Sequence, residues 1–161
     1  MNAAQEVADR LRAIAAKVES AAPKASVQAL SRAGETMAKL TLSTGAHAAG
    51  TDTHNPPGGP PGLISGALRR SVARTPAMPS GPATWSQALG SVIHYAAVHE
   101  FGPVTITAKN FPVLGNPTVG FFGKSVTIPA RPWMKPTVEK LISSELGAKA
   151  AIAAFEAAID A

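Results

Sequence analysis

Apolar positions in the first part of the chain recur every three to four residues. Val7, Leu11, Ile14 and Val18 are spaced four, three and four apart, with Glu6, Asp9, Arg10, Arg12, Lys17 and Glu19 on the remaining surface. That spacing predicts an amphipathic helix. It is expected to end near Ala22, where Pro23 resets the chain, and Val27, Leu30, Ala33, Met37 and Leu40 then give a second helical stripe ending near Ser43-Thr44-Gly45. The period is lost over 46–62, a polar, turn-rich stretch read as a flexible Pro/Gly loop. A short helix is expected over 63–71, strands over 71–75 and 84–92 separated by a turn at 76–82, and a second short helix over 93–101 stopped by Gly102-Pro103. Val104-Thr105-Ile106-Thr107 alternates cleanly and pairs with either 119–122 or 125–128 as one arm of a protruding β-hairpin. From Pro132 onward, Val138, Leu141, Ile142, Leu146, Ile152, Phe155 and Ile159 mark a long C-terminal helix, with Gly147 as a candidate kink. Helices at both ends around a mixed middle make the fold class α+β.

Glycine and proline sharpen these divisions. Of 28 such residues in the 161-residue chain, 25 lie between Gly45 and Pro136, which leaves both ends free to be helical. The length fits one domain, divided into a helical part (1–44), the loop (45–62), a mixed sheet and hairpin part (63–130) and the terminal helix (131–161). Alanine accounts for 32 residues and aromatics for only eight, so a thin core is expected, with surfaces suited to packing against a partner. No apolar run is long enough to span a membrane, and the first 20 residues lack the pattern of a secretory signal. The absence of cysteine excludes disulfides, thiolate metal sites and a cysteine nucleophile.

The net charge of +5 is concentrated in the middle of the chain. Between Thr53 and Val138, seven basic residues (Arg69, Arg70, Arg74, Lys109, Lys124, Arg131, Lys135) face a single acid, Glu100. Such a segment suits an anionic partner, either DNA or an acidic protein ring. Catalytic signatures are weak by comparison. His94 and His99 are five residues apart, too far round a helix to share a metal ion, and Pro103 stands where an HExxH motif needs its second histidine. The expectation for this helix is Tyr95, Val98 and Phe101 packed inward with the histidines at its rim. No nucleophile elbow and no phosphate-binding glycine loop is present, so neither an enzyme nor a cofactor is expected. Glu100, if buried, needs compensation, and a guanidinium from Arg69 or Arg131 is the natural clamp.

Three segments together carry a resemblance. Leu63-Ile64-Ser65-Gly66-Ala67-Leu68-Arg69-Arg70-Ser71, Tyr95-Ala96-Ala97-Val98-His99-Glu100-Phe101-Gly102 and Ile128-Pro129-Ala130-Arg131-Pro132-Trp133-Met134-Lys135-Pro136 follow in an order that resembles the neck proteins of long-tailed bacteriophages, also called tail-completion, head-to-tail connector, minor tail or virion-morphogenesis proteins. The match spans roughly half the chain. It implies a non-enzymatic virion protein, made in the bacterial cytoplasm, that forms a homo-oligomeric ring, commonly of six subunits, around the DNA channel where head meets tail. Its neighbours would be other neck and tail proteins such as a stopper, a terminator or the tail tube. With this reading, Leu68, Tyr95, Phe101 and Trp133 are the expected packing residues, and Glu100 with Arg131 or Arg69 the clamp. Ile106, Phe111, Phe121 and Phe122 on the hairpin are expected subunit contacts, and Arg70, Arg74, Lys109, Lys124 and Lys135 face DNA or acidic neighbours. A tail terminator and a basic nucleic-acid-binding module are the alternatives.

Overall fold

A computed structural model describes residues 3–46, 55–63, 65–107 and 125–161. The fold is mixed helix and sheet, as the periodicity predicts. Its elements are α1 (Ala3–Ala16), a π-helical turn (Lys17–Ala21), α2 (Ala22–Thr41), α3 (Ala67–Ser71), β1 (Val72–Arg74), β2 (Met78–Gly81), β3 (Thr84–Ser86), β4 (Leu89–Ser91), α4 (His94–Phe101), β5 (Val104–Thr107), β6 (Ser125–Ile128), α5 (Met134–Ser143) and α6 (Leu146–Asp160). No helix among the described residues is long and apolar enough to cross a membrane. The chain divides into two compact units, one built from Met1–Met37, Val72–Gly90 and Thr137–Ala161, the other from Ala38–Ser71 and Ser91–Pro136.

In the first unit, Pro23 does not break the helix. Ala22 donates its N–H to the Lys17 carbonyl, five residues back, so the chain passes from α1 to α2 through a widened turn. A π-turn relaxes the crowding between a proline ring and the preceding carbonyls, which lets Pro23 stand inside a continuous helix. Helix α6 lies beside this region: Lys17 Nζ donates to the Ile159 carbonyl at 3.1 Å and Ser26 Oγ to the Ala151 carbonyl at 2.9 Å. The expected terminal helix is two helices, interrupted at Ser144–Glu145, where Glu145 takes a left-handed φ of 56°. Gly147 is not the break. A Cβ there would sit 2.6 Å from Leu30 Cδ1 and 3.1 Å from Leu141 Cγ, so its role is close approach between helices.

The segment 76–82, expected as a turn, instead supplies β2, which pairs antiparallel with β3 with Pro79 opposite Trp85. Every residue of β2 is exposed, which is why it carries no alternating signal. Only residues 82–83 turn, with Ala83 at φ 49°. Gln87 ties this region to α2 by accepting from Ser31 Oγ, and donates to the Thr75 carbonyl at 2.5 Å. Strand β1 pairs with β4.

In the second unit, β5 and β6 form the expected antiparallel pair, Val104 opposite Ile128 and Thr107 opposite Ser125. The alternative partner at 119–122 lies outside the described residues. Among the described residues of this unit, Ala38, Leu42, Leu68, Ala96 and Trp133 are the buried apolar ones.

Candidate functional site

The second unit gathers parts of all three motif segments. α4 is stopped at Gly102, whose N–H donates to the Val98 carbonyl at 2.9 Å. A Cβ at Gly102 would lie 2.8 Å from that oxygen and 3.2 Å from the Ala130 backbone, so glycine is what lets the 129–131 strand of chain lie against the helix end. Arg131 then donates its N–H to the His99 carbonyl at 2.7 Å, and Gly58 donates to the Ala130 carbonyl at 3.1 Å.

Glu100 sits at the centre of this arrangement. Its Oε2 accepts the backbone N–H groups of Trp133 and Met134, both at 2.8 Å, and its Oε1 accepts that of Lys135 at 2.9 Å. These are the first donors of α5. A helix leaves about four N–H groups without an internal acceptor at its start. Three go to Glu100, and the fourth position is Pro136, which has no N–H. The carboxylate also lies at the positive end of the helix dipole. The expected clamp to a guanidinium is therefore corrected: the compensating partner is the helix terminus. The Arg131 guanidinium instead donates to the Asn55 carbonyl, from Nε at 3.3 Å and Nη2 at 3.1 Å. Trp133, 3% exposed, reaches the Ala96 carbonyl with its Nε1 at 3.5 Å.

The inward face of α4 also differs from expectation. Ala96 is buried, whereas Tyr95 is 42% and Phe101 82% exposed. At 100° per residue, Ala96, His99 and Glu100 share one side, and Phe101 points well away from it. Leu68 and Trp133 pack as expected; Tyr95 and Phe101 do not. Tyr95 makes an edge-on contact with the His99 ring, with centroids 5.8 Å apart. Burial, and secondarily the charge of Arg131, hold the His99 imidazole below its ordinary pKa of 6.5, and its buried Nδ1 has no hydrogen-bond partner among the described residues. His94 is exposed, and no group of three or more metal-ligating side chains comes together among the described residues.

A cavity of about 300 Å³ opens beside α3 and α4, walled by Leu42, Leu63, Leu68, Tyr95 and His99, with Arg69 contributing to its lining. Arg70 is turned back, its Nη1 donating to the Ser65 carbonyl at 2.9 Å. Arg74 belongs to the first unit, where its Nε meets Glu35 Oε2 at 2.5 Å, both side chains half-buried. Lys135 is exposed, as are Val104, Thr105, Ser125 and Thr127 of the β5–β6 pair, with Ile106 intermediate. Lys109, Phe111, Phe121, Phe122 and Lys124 lie outside the described residues.

Neither the helix-capping role of Glu100 nor the cavity is foreseen in the sequence. The available signal was the pairing of one isolated acid with a proline in the first turn of a downstream helix. Comparison with protein-family models, curated proteins and solved structures finds no match to this chain.

Proposed function

We propose that the chain is a structural protein of a tailed-phage virion, closing the tail and joining it to the head as a subunit of a ring around the DNA channel. The observation that supports this reading best is the physical linkage of the three segments that resemble neck proteins. α3 and α4 wall one cavity, and the end of α4 caps α5 through Glu100. The resemblance thus falls on residues that depend on one another structurally.

Two further features favour assembly. In the first unit, Val7, Leu11, Ile14 and Val18 on α1 are 38–62% exposed, and Val138, Ile142, Leu146 and Ile152 near the other terminus are 44–72% exposed. Exposed apolar stripes of this kind on one subunit suit burial against a neighbouring copy, and a head-to-tail contact between copies closes into rings. Charge is also segregated: the first unit has eight basic and eight acidic residues, and the second has seven basic and two acidic. The second unit therefore carries the whole excess of +5, the sign that suits DNA or an acidic neighbouring ring.

The test is electron microscopy of lysates from a phage with an early stop codon in this reading frame. Separated filled heads and tails are expected; tails of abnormal length would point to a terminator instead. Normally joined particles would overturn the neck reading. A purified protein that binds DNA with affinity falling by roughly one log-log slope unit per phosphate contact, with no particle defect, would favour the nucleic-acid-binding module.

A further inference from the structure

The cavity beside α3 is mostly apolar, yet one charged residue contributes to its wall. Leu42, Leu63, Leu68 and Tyr95 supply the apolar surface. His99 adds a ring that is neutral at pH 7, so Arg69 is the sole cation among the lining residues. Arg69 is exposed and has no hydrogen-bond or ion-pair partner among the described residues, unlike its neighbour Arg70. Gly66, at φ 71°, turns the chain into α3 where a side chain would press within 3.0 Å of Arg70 Nη1.

We propose that this cavity seats an apolar side chain of a partner polypeptide, of leucine or phenylalanine size, with a flanking Asp or Glu carboxylate paired to Arg69. The volume of about 300 Å³ is at the small end for ligand sites. Because the cavity is open to solvent on one side, it encloses an anchor side chain whose backbone stays outside better than a free small molecule, which needs burial on most faces. The excess positive charge of the second unit, seven basic residues against two acidic, selects an acidic flank on the partner and disfavours a basic one. The inference does not depend on the protein's being part of a virion.

The test is a titration of the full chain, followed by the ring resonances of Tyr95 and His99, with three probes: the blocked peptide acetyl-Asp-Leu-Asp-amide, its Asn counterpart, and N-acetyl-leucine. Saturable shifts are expected with the acidic peptide. Binding should be about tenfold weaker with the Asn peptide, the loss of one charge-assisted contact worth roughly 1.4 kcal/mol. Arg69→Gln, at an exposed position, should abolish that difference without altering the fold, and Tyr95→Ala should weaken both peptides. The proposal fails if neither peptide gives saturable shifts, if both bind equally, or if N-acetyl-leucine binds as tightly as the acidic peptide.

Discussion

Removal of the Glu100 carboxylate separates helix capping from a guanidinium clamp. In Glu100→Ala, the N–H groups of Trp133, Met134 and Lys135 all lose their acceptor. Lys135 is exposed and its N–H can turn to water, but Trp133 is buried. Loss of a helix cap costs about 1 kcal/mol. Stranding a buried donor adds about 2 kcal/mol. The sum, about 3 kcal/mol, corresponds to roughly 6–12 °C in Tm for a chain of this size. Glu100→Gln keeps one acceptor oxygen and sets an NH₂ group against a backbone N–H, so about half that loss is expected. Urea denaturation gives the free energies, and amide hydrogen exchange at 133–135 localises them. The control is Arg131→Met: it should leave exchange at those amides unchanged, because the Arg131 guanidinium bonds Asn55 and not Glu100. A Glu100→Ala loss below 0.5 kcal/mol, or equal acceleration of exchange in Arg131→Met, would refute the capping account.

Three other outcomes follow from the same geometry. Because the native pKa of His99 is lowered by burial and by Arg131, the unfolded chain binds the proton more readily. Stability from this group is therefore complete above pH 6.5 and lost as pH falls from there through the lower native value; His99→Leu should flatten that part of a Tm-against-pH curve, and an unchanged slope would contradict it. Gly147→Ala, which in an open helix gains up to about 1 kcal/mol, should instead destabilise by about 1 kcal/mol because Leu30 and Leu141 must move; a rise in Tm would show that they yield freely. A double-mutant cycle on Arg74 and Glu35 should give a coupling of about 1–2 kcal/mol, above that of the exposed Arg12–Asp9 pair; coupling near zero would refute it.

The sequence was readable where structure is local. The stripes of α1 and α2, the stop at Gly102, and the Val104–Thr107 strand follow from spacing and from residues that punctuate it. What escaped depends on partners distant in the chain. The acceptor that Glu100 provides acts 33 to 35 residues away, whereas the cationic side chains visible in the sequence point to Arg69 and Arg131. A helix terminus is also a positive partner, one that residue identities alone do not display. Pro23 departs from its usual helix-ending role for a related reason: the backbone absorbs it by widening a turn, and the helix continues. β2 was hidden because its residues are all exposed and therefore have no period.

The distribution of apolar side chains among the described residues bears on the assembly proposed above. The buried apolar residues include Ala22, Ala38 and Ala96, whereas Leu11, Ile142 and Ile152 are more than half exposed. Large apolar side chains are thus left on the surface while alanines take interior positions, as do Met37, Leu42, Leu68, Val72 and Trp133, and exposed apolar stripes of this kind mark contact surfaces. If α1 is covered by a neighbouring subunit, Val7→Asp and Leu11→Asp should leave the stability of the monomer within about 0.5 kcal/mol, since neither side chain is buried within the chain. The same substitutions should prevent ring formation and fail to rescue the stop-codon phage. The two measurements must part company for the reading to hold. Loss of monomer stability in step with assembly would mean that the stripe serves the fold of the subunit, and intact rings would mean that the contact lies elsewhere.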